Sequence, residues 1–374
     1  MDLLIDGQKW SAPQAFERGL VDAVVPDADF DREVLHWARG QRSVTRVASP
    51  VVEAGFVDAT RRRIADFPPA YRRMYADCLD VMLGASPTVR FARHVAAPRV
   101  KRAASFFFVR QMAYAMARGA APTPSQTRVH VADGDPVVRE FAADLMRHPL
   151  RGLVVHNGAV AKDADYSLGE FPGTEGALAV TRQFVRAPLE GPASMVLWLA
   201  PGRRFFELAT RNPEQARETY HWLSRAGCTG IVSRPDDGFV AEKWLRAFNA
   251  PQEAWRGDLV TVHATLHNFG FFLPFIRRRP AAPDRRILDA LRISLLAAAV
   301  RSLRSGALAH PTAADVLARE LLDFPLAHGS LLQHLTVPRV RGILRRLNSF
   351  RHLLLQDDID TARQWLAAGR GFYQ

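Results

Sequence analysis

Residues 194–209 read SMVLWLAPGRRFFELA. Met195 to Ala200 form an unbroken apolar run, Pro201-Gly202 is a turn signal, and Phe205 to Ala209 make a second apolar segment. An apolar run this short, closed by a turn, fits a strand covered on both faces. The stretch therefore predicts strand, turn and strand inside a sheet. What lies on either side decides which sheet.

Strand and helix patterns alternate around it. TRVHVAD (127–133) and RGLVVHN (151–157) read as strands, with DPVVREFAADLMRH (135–148) as a helix between them. Downstream, NPEQARETYHWLSRAG is a helix with Asn212 as N-cap and Gly227 as its stop, CTGIVSR is a strand, and GFVAEKWLRAFNA is a helix. Such alternation predicts a parallel sheet with helices on its faces. The interval between RGLVVHN and MVLWLA is short, so one strand-helix unit of the sheet is expected to be lost or shrunken. Both flanks are helical. ADFPPAYRRMYADCLDVML repeats apolar residues at helical spacing, and RRILDALRISLLAAAVRSLRSG predicts a long helix closed by Gly306. Pro311 and Thr312 signal the next helix start, and Ser11 and Gly19 bracket a short helix near the N-terminus. The expected organisation is an N-terminal segment at 1–120, a sheet domain at 125–250 and a helical domain at 251–374.

The chain of 374 residues carries 48% hydrophobic and 24% charged residues, ordinary values for a globular protein. Its formal charge is +12, almost all of it arginine, since lysine occurs only at 9, 101, 162 and 243. The arginines are dispersed. Runs such as Arg61-Arg62-Arg63 and Arg277-Arg278-Arg279 lack the aromatic interleaving of a nucleic-acid stacking platform. They read as solvated faces, with binding to nucleic acid or anionic lipid as the alternative. Cys78 and Cys228 lie far apart in apolar contexts and read as small buried hydrophobes. MDLLIDGQKW lacks a secretory leader's pattern, and Phe269 to Ile276 is shorter than the roughly 20 residues a bilayer requires. These features point to a cytoplasmic chain without a transmembrane segment.

Three pieces in order carry a resemblance. In DGQKWSAPQAFERGLVDAVVP, Gly7, Ser11, Ala12, Ala15, Gly19, Leu20, Val21, Asp22, Val25 and Pro26 follow the closing pattern of the enoyl-CoA hydratase (crotonase) core. ADFPPAYRRMYADCLDVM and the later SFFF are similar to the helices linking hydratase to dehydrogenase. The sheet region with Gly306, Pro311, Asp315, Phe324, Pro325 and Gly329 is similar to the 3-hydroxyacyl-CoA dehydrogenase module. The chain thus resembles the multifunctional fatty-acid β-oxidation α-subunit family. The resemblance implies a C-terminal remnant of the hydratase domain, a reduced Rossmann-like parallel sheet and a helical dehydrogenase-like domain. By implication it also brings NAD as cofactor, acyl-CoA as ligand, and a thiolase-like or hydratase-like protein as partner.

The residues that would do that chemistry have changed. A dinucleotide site needs glycines at the first strand-helix turn, so that backbone can approach the diphosphate. DGDPVV stands there, keeping Gly134 and adding two aspartates. It also reads as an ordinary turn, with Asp135 as N-cap and Pro136 at the first helical position. The ribose-binding acid at the end of the second strand becomes Asn157, which can hydrogen-bond a hydroxyl but equally begins an Asn-Gly turn. The family's catalytic His must accept the hydroxyl proton as hydride leaves. Aligned on Pro201, its position holds Leu197, and the motif's Asn position holds Ala200. Glu170 stands where the orienting acid is sought, yet it also reads as a surface loop carboxylate. Glu242 and Lys243 replace the Asn and Arg of the following helix start. His263 and His267 have the i, i+4 spacing of metal ligands, but neither an adjacent glutamate nor a third ligand is readable. The expectation is a fold kept without its catalysis, holding acyl-CoA or a protein. An active NAD-dependent dehydrogenase and a basic interaction protein are the alternatives.

Overall fold

The computed structural model describes residues 11–19, 54–82, seven strands between 127 and 233, nearly all of 238–373 and scattered positions between these. Two compact units emerge, one covering 1–67 and 72–92 and the other 68–71 and 93–374. In the first, α1 (Ala12–Glu17) begins with Ser11, whose hydroxyl accepts from Gln14 N while the Gln14 side chain accepts from Ser11 N. This reciprocal capping box satisfies two backbone donors that a helix start leaves over. Gly19 follows at φ +67, a left-handed conformation that glycine adopts without a Cβ penalty. Two longer helices follow, α2 (Ala54–Ala65) and α3 (Pro69–Met82). Arg61, Arg62 and Arg63 are exposed on α2.

The second unit contains a seven-stranded sheet. Its strands are β1 (Thr127–Val131), β2 (Leu153–Asn157), β3 (Tyr166–Leu168), β4 (Ala177–Thr181), β5 (Met195–Leu199), β6 (Phe205–Thr210) and β7 (Thr229–Ser233). They lie in the order β2-β1-β3-β4-β5-β6-β7. The first five run parallel, β6 pairs antiparallel with β5, and β7 is parallel to β6. The expectation of a purely parallel sheet is thereby corrected. Residues 200–204 alone join β5 to β6, which is enough for a hairpin but not for the dozen or more residues of a parallel crossover. The short interval before β5 holds two brief strands, β3 and β4, rather than a missing stretch of sheet. Strand order reverses after β2, leaving β1 between β2 and β3.

The helices that follow are α4 (Val240–Glu253), α5 (Leu259–Phe269), α6 (Arg285–Arg304), α7 (Pro311–Glu320), α8 (Leu331–His334), α9 (Val337–Leu344) and α10 (Gln356–Ala368). The boundary expected at 250 falls within α4, and one hydrophobic core runs from β5–β7 through α10. At its centre is α6, 20 residues long and buried along most of its length from Ile287 to Val300. Apolar residues on nearly every side make it a core helix rather than a surface one. Asp284 caps it, accepting from Arg286 N at 2.8 Å, and Gly306 at φ +72 closes it as the sequence predicts.

Candidate functional site

The hairpin β5–β6 is the part of the sheet on which the dehydrogenase reading depends. All residues of both strands are buried. Side chains alternate between faces, and the shared core separates them. Val196, Trp198, Ala200, Phe205 and Ala209 belong to the core with the helices, whereas Met195, Leu197 and Leu208 do not. On that second face the Thr219 hydroxyl approaches Met195 Sδ at 3.7 Å, and Phe206 packs edge-on against Tyr220. Leu197 is 0% exposed and sits opposite Leu208 across the ladder and Val180 on the other side. Ala200 is buried and its N–H donates to Phe205 O at 3.0 Å, closing the hairpin. β5 carries no titratable side chain on either face.

One titratable group does stand on these two strands, and sequence reading passed over it inside FFELA. Glu207 lies across the ladder from Trp198 and is 0% exposed. Its Oε1 accepts from the Ser233 hydroxyl at 2.5 Å and from Val240 N at 2.8 Å, and its Oε2 accepts from Ala241 N at 2.7 Å. Phe239, the N-cap of α4, offers no side-chain acceptor to its own helix. A strand carboxylate therefore terminates α4, meeting the backbone donors and positive dipole end of its first turn. Burial holds the carboxyl above the ordinary carboxylate range, opposed by those three hydrogen bonds and by Lys243. All three hydrogen bonds are made to groups of the core. In the first turn of α4, Glu242 pairs with Arg246 one turn along.

A second buried carboxylate lies among the helices. Asp315 on α7 accepts from Leu332 N at 2.8 Å and from the Tyr373 hydroxyl, with Ser330 also donating to it. Burial raises it to about 6 against those hydrogen bonds, and pushes the Tyr373 phenol upward too. Two further positions quoted for the resemblance have local structural duties. Gly329 adopts φ +78 and Phe324 is a core residue.

Of the other candidates, Gly134 and Glu170 lie outside the described residues. Asn157 is the last residue of β2 and pairs in register with Val131, beside the reversal of strand order. A crevice at the carboxyl ends of strands flanking such a reversal is where open α/β sheets take ligands. His263 and His267 both lie on α5, and His263 Nδ1 is buried without a partner. No third His, Cys, Asp or Glu joins them among the described residues. Cys228 is buried, and the Cys78 side chain lies outside the described residues.

No family model matches this chain, and no curated protein matches it. Among the described residues no helix is long and apolar enough to cross a membrane.

Proposed function

We propose that this chain is a non-catalytic relative of the 3-hydroxyacyl-CoA dehydrogenase module and serves as a binding scaffold for an acyl-CoA or a protein partner. The observation that carries the reading is β5. Its middle residue is the fully buried Leu197, so nothing there accepts the proton that must leave a 3-hydroxyl as hydride departs. Shifting the alignment by one residue brings Val196 or Trp198 to that place, and neither titrates. The neighbouring carboxylate, Glu207, is occupied as the cap of α4. The strand order supports retention of a ligand crevice, because β1 still lies at a reversal between β2 and β3. In the sequence β1 is followed by DGDPVV, which by the resemblance aligns with the glycine-rich turn and carries two aspartates, an unfavourable composition for a dinucleotide diphosphate. NAD binding is accordingly not part of the proposed role.

The test is a thermal-shift comparison of acetoacetyl-CoA and NAD side by side, with NADH oxidation by acetoacetyl-CoA followed in the same samples. Stabilisation by the thioester alone, with no NADH consumed, is the expected result. Turnover above the rate without protein would refute the non-catalytic reading. Stabilisation by neither ligand would leave the protein-scaffold form, checked by capture with a purified thiolase-like or hydratase-like chain.

A further inference from the structure

A cavity of about 370 Å³ lies between α2 and α3. Arg61, Ile64 and Ala65 line it from α2, and Arg72, Ala76, Leu79 and Asp80 from α3, all of them within the first unit. Spacings of three and four residues put each set on one face of its helix. The volume falls in the range of about 300–1,000 Å³ in which small-molecule sites occur. Ile64 and Leu79 are the buried apolar members, 5% and 2% exposed. Ala65 and Ala76 are exposed and carry only a methyl group each, which leaves the space between the helices open.

The charged residues of the lining leave it positive. Arg61 is exposed and makes no hydrogen bond or ion pair among the described residues. Arg72 donates its Nε to Phe67 O at 2.7 Å, which orients the guanidinium and leaves its two terminal nitrogens for another acceptor. Asp80 is half-buried and already has an interaction of its own. Two arginines thus stand against one engaged aspartate. Several exposed arginines of the helical region are paired instead, Arg246 with Glu242, Arg286 with Asp284 and Arg363 with Asp360. An exposed guanidinium is hydrated, so the lack of a partner is not by itself a demand for a ligand. What marks Arg61 and Arg72 is the apolar hollow that they share. It offers a hydrocarbon a place out of water beside two cationic heads.

We propose that this cavity binds a monocarboxylic acid with a short unbranched hydrocarbon tail. The tail displaces water from Ile64, Ala65, Ala76 and Leu79, and the carboxylate accepts from the guanidinium groups of Arg61 and Arg72. Planar guanidinium forks suit that head group. A bare anion gains nothing from the apolar wall, and a neutral hydrocarbon leaves both arginines unused. The proposal does not depend on the acyl-CoA reading, because it uses α2 and α3 alone. A failure of acetoacetyl-CoA to stabilise the chain leaves it standing.

The experiment is isothermal titration calorimetry of the full chain with octanoate, 1-octanol and acetate in turn. Saturable octanoate binding in the submillimolar range is expected, at least about tenfold tighter than either of the other two. Octanoate affinity should fall about tenfold in Arg61→Gln and in Arg72→Gln, the loss of one charge-assisted contact. It should vanish in Ala76→Phe, which fills the cavity from an exposed position, and stay unchanged in Arg363→Gln on α10. Circular dichroism checks that each variant folds. Arg61 has no partner to lose, so Arg61→Gln keeps the test decisive even if Ala76→Phe disturbs the helices. Absence of saturable octanoate binding overturns the proposal. So does 1-octanol or acetate binding as tightly as octanoate, or wild-type affinity in Arg61→Gln or in a folded Ala76→Phe.

Discussion

Glu207 offers the sharpest test of how the sheet is joined to the helices, because one carboxylate is asked to terminate a helix it does not belong to. Replacing Glu207 with Ala leaves Val240 N–H and Ala241 N–H without their acceptor inside the core. The Ser233 hydroxyl can rotate to another partner, but the two backbone donors are fixed by α4. Each stranded buried donor costs about 1–3 kcal/mol. Loss of the favourable charge at the helix start adds roughly 0.5–1 kcal/mol. Against this stands the relief of no longer burying a carboxylate, which is substantial because burial is the largest influence on its titration. The expected net loss is about 3 kcal/mol, or about 6–12 °C in the midpoint of thermal unfolding. Glu207→Gln retains one acceptor oxygen, so one backbone donor then faces the amide NH2. The expected loss is about 1 kcal/mol, between wild type and the alanine variant. Urea unfolding followed by tryptophan fluorescence is a direct assay, because Trp198 and Trp244 are 1% and 0% exposed in the same core. An alanine variant within about 0.5 kcal/mol of wild type would show that the cap contributes nothing net, and the reasoning would fail.

Asp315 makes a prediction in pH. Its carboxyl is raised from 3.8 to about 6, so its ionisation works against the folded state. The stability it lends is complete below about pH 4 and is lost as pH rises to about 6. Relative to Asp315→Asn, wild type should lose about 3 kcal/mol across that window, and a difference independent of pH would refute it. Tyr373→Phe removes a hydrogen bond that lowers the Asp315 titration. The same window should then move upward, as read by equilibrium unfolding at several pH values. Gly230→Ala would place a Cβ 2.4 Å from the Phe206 carbonyl oxygen and 2.5 Å from its ring. With no space between β6 and β7 to absorb it, about 3 kcal/mol of destabilisation is expected in urea melts. The double variant Leu197→His, Ala200→Asn should show no NADH oxidation with acetoacetyl-CoA. It should also unfold more easily by about 2–4 kcal/mol, because a polar ring replaces a fully enclosed Leu.

What the sequence could and could not disclose follows from the reach of each interaction. Ser11 with Gln14, Gly19 and Gly306 act within a few residues, and their roles were legible from type and spacing alone. The apolar run at Met195 to Leu199 was legible for the same reason. The hairpin's antiparallel pairing followed from five linking residues, yet the alternating context argued for a parallel sheet and outweighed it. β3 is only three residues long and gives no period to read. The buried carboxylates were illegible for a deeper reason. Glu207 is satisfied from 26 to 34 residues away, Asp289 by Arg346 at a separation of 57, and Asp358 by Ser294 at 64. In the sequence each is one acid among many, and only folding supplies its donors. The same contrast separates β5 from the ion pairs of the helices. The lack of a titratable group in β5 is a local feature, visible in its own five residues. The ion pairs are not local, and Asp289 meets Arg346 only where α6 packs beside the end of α9.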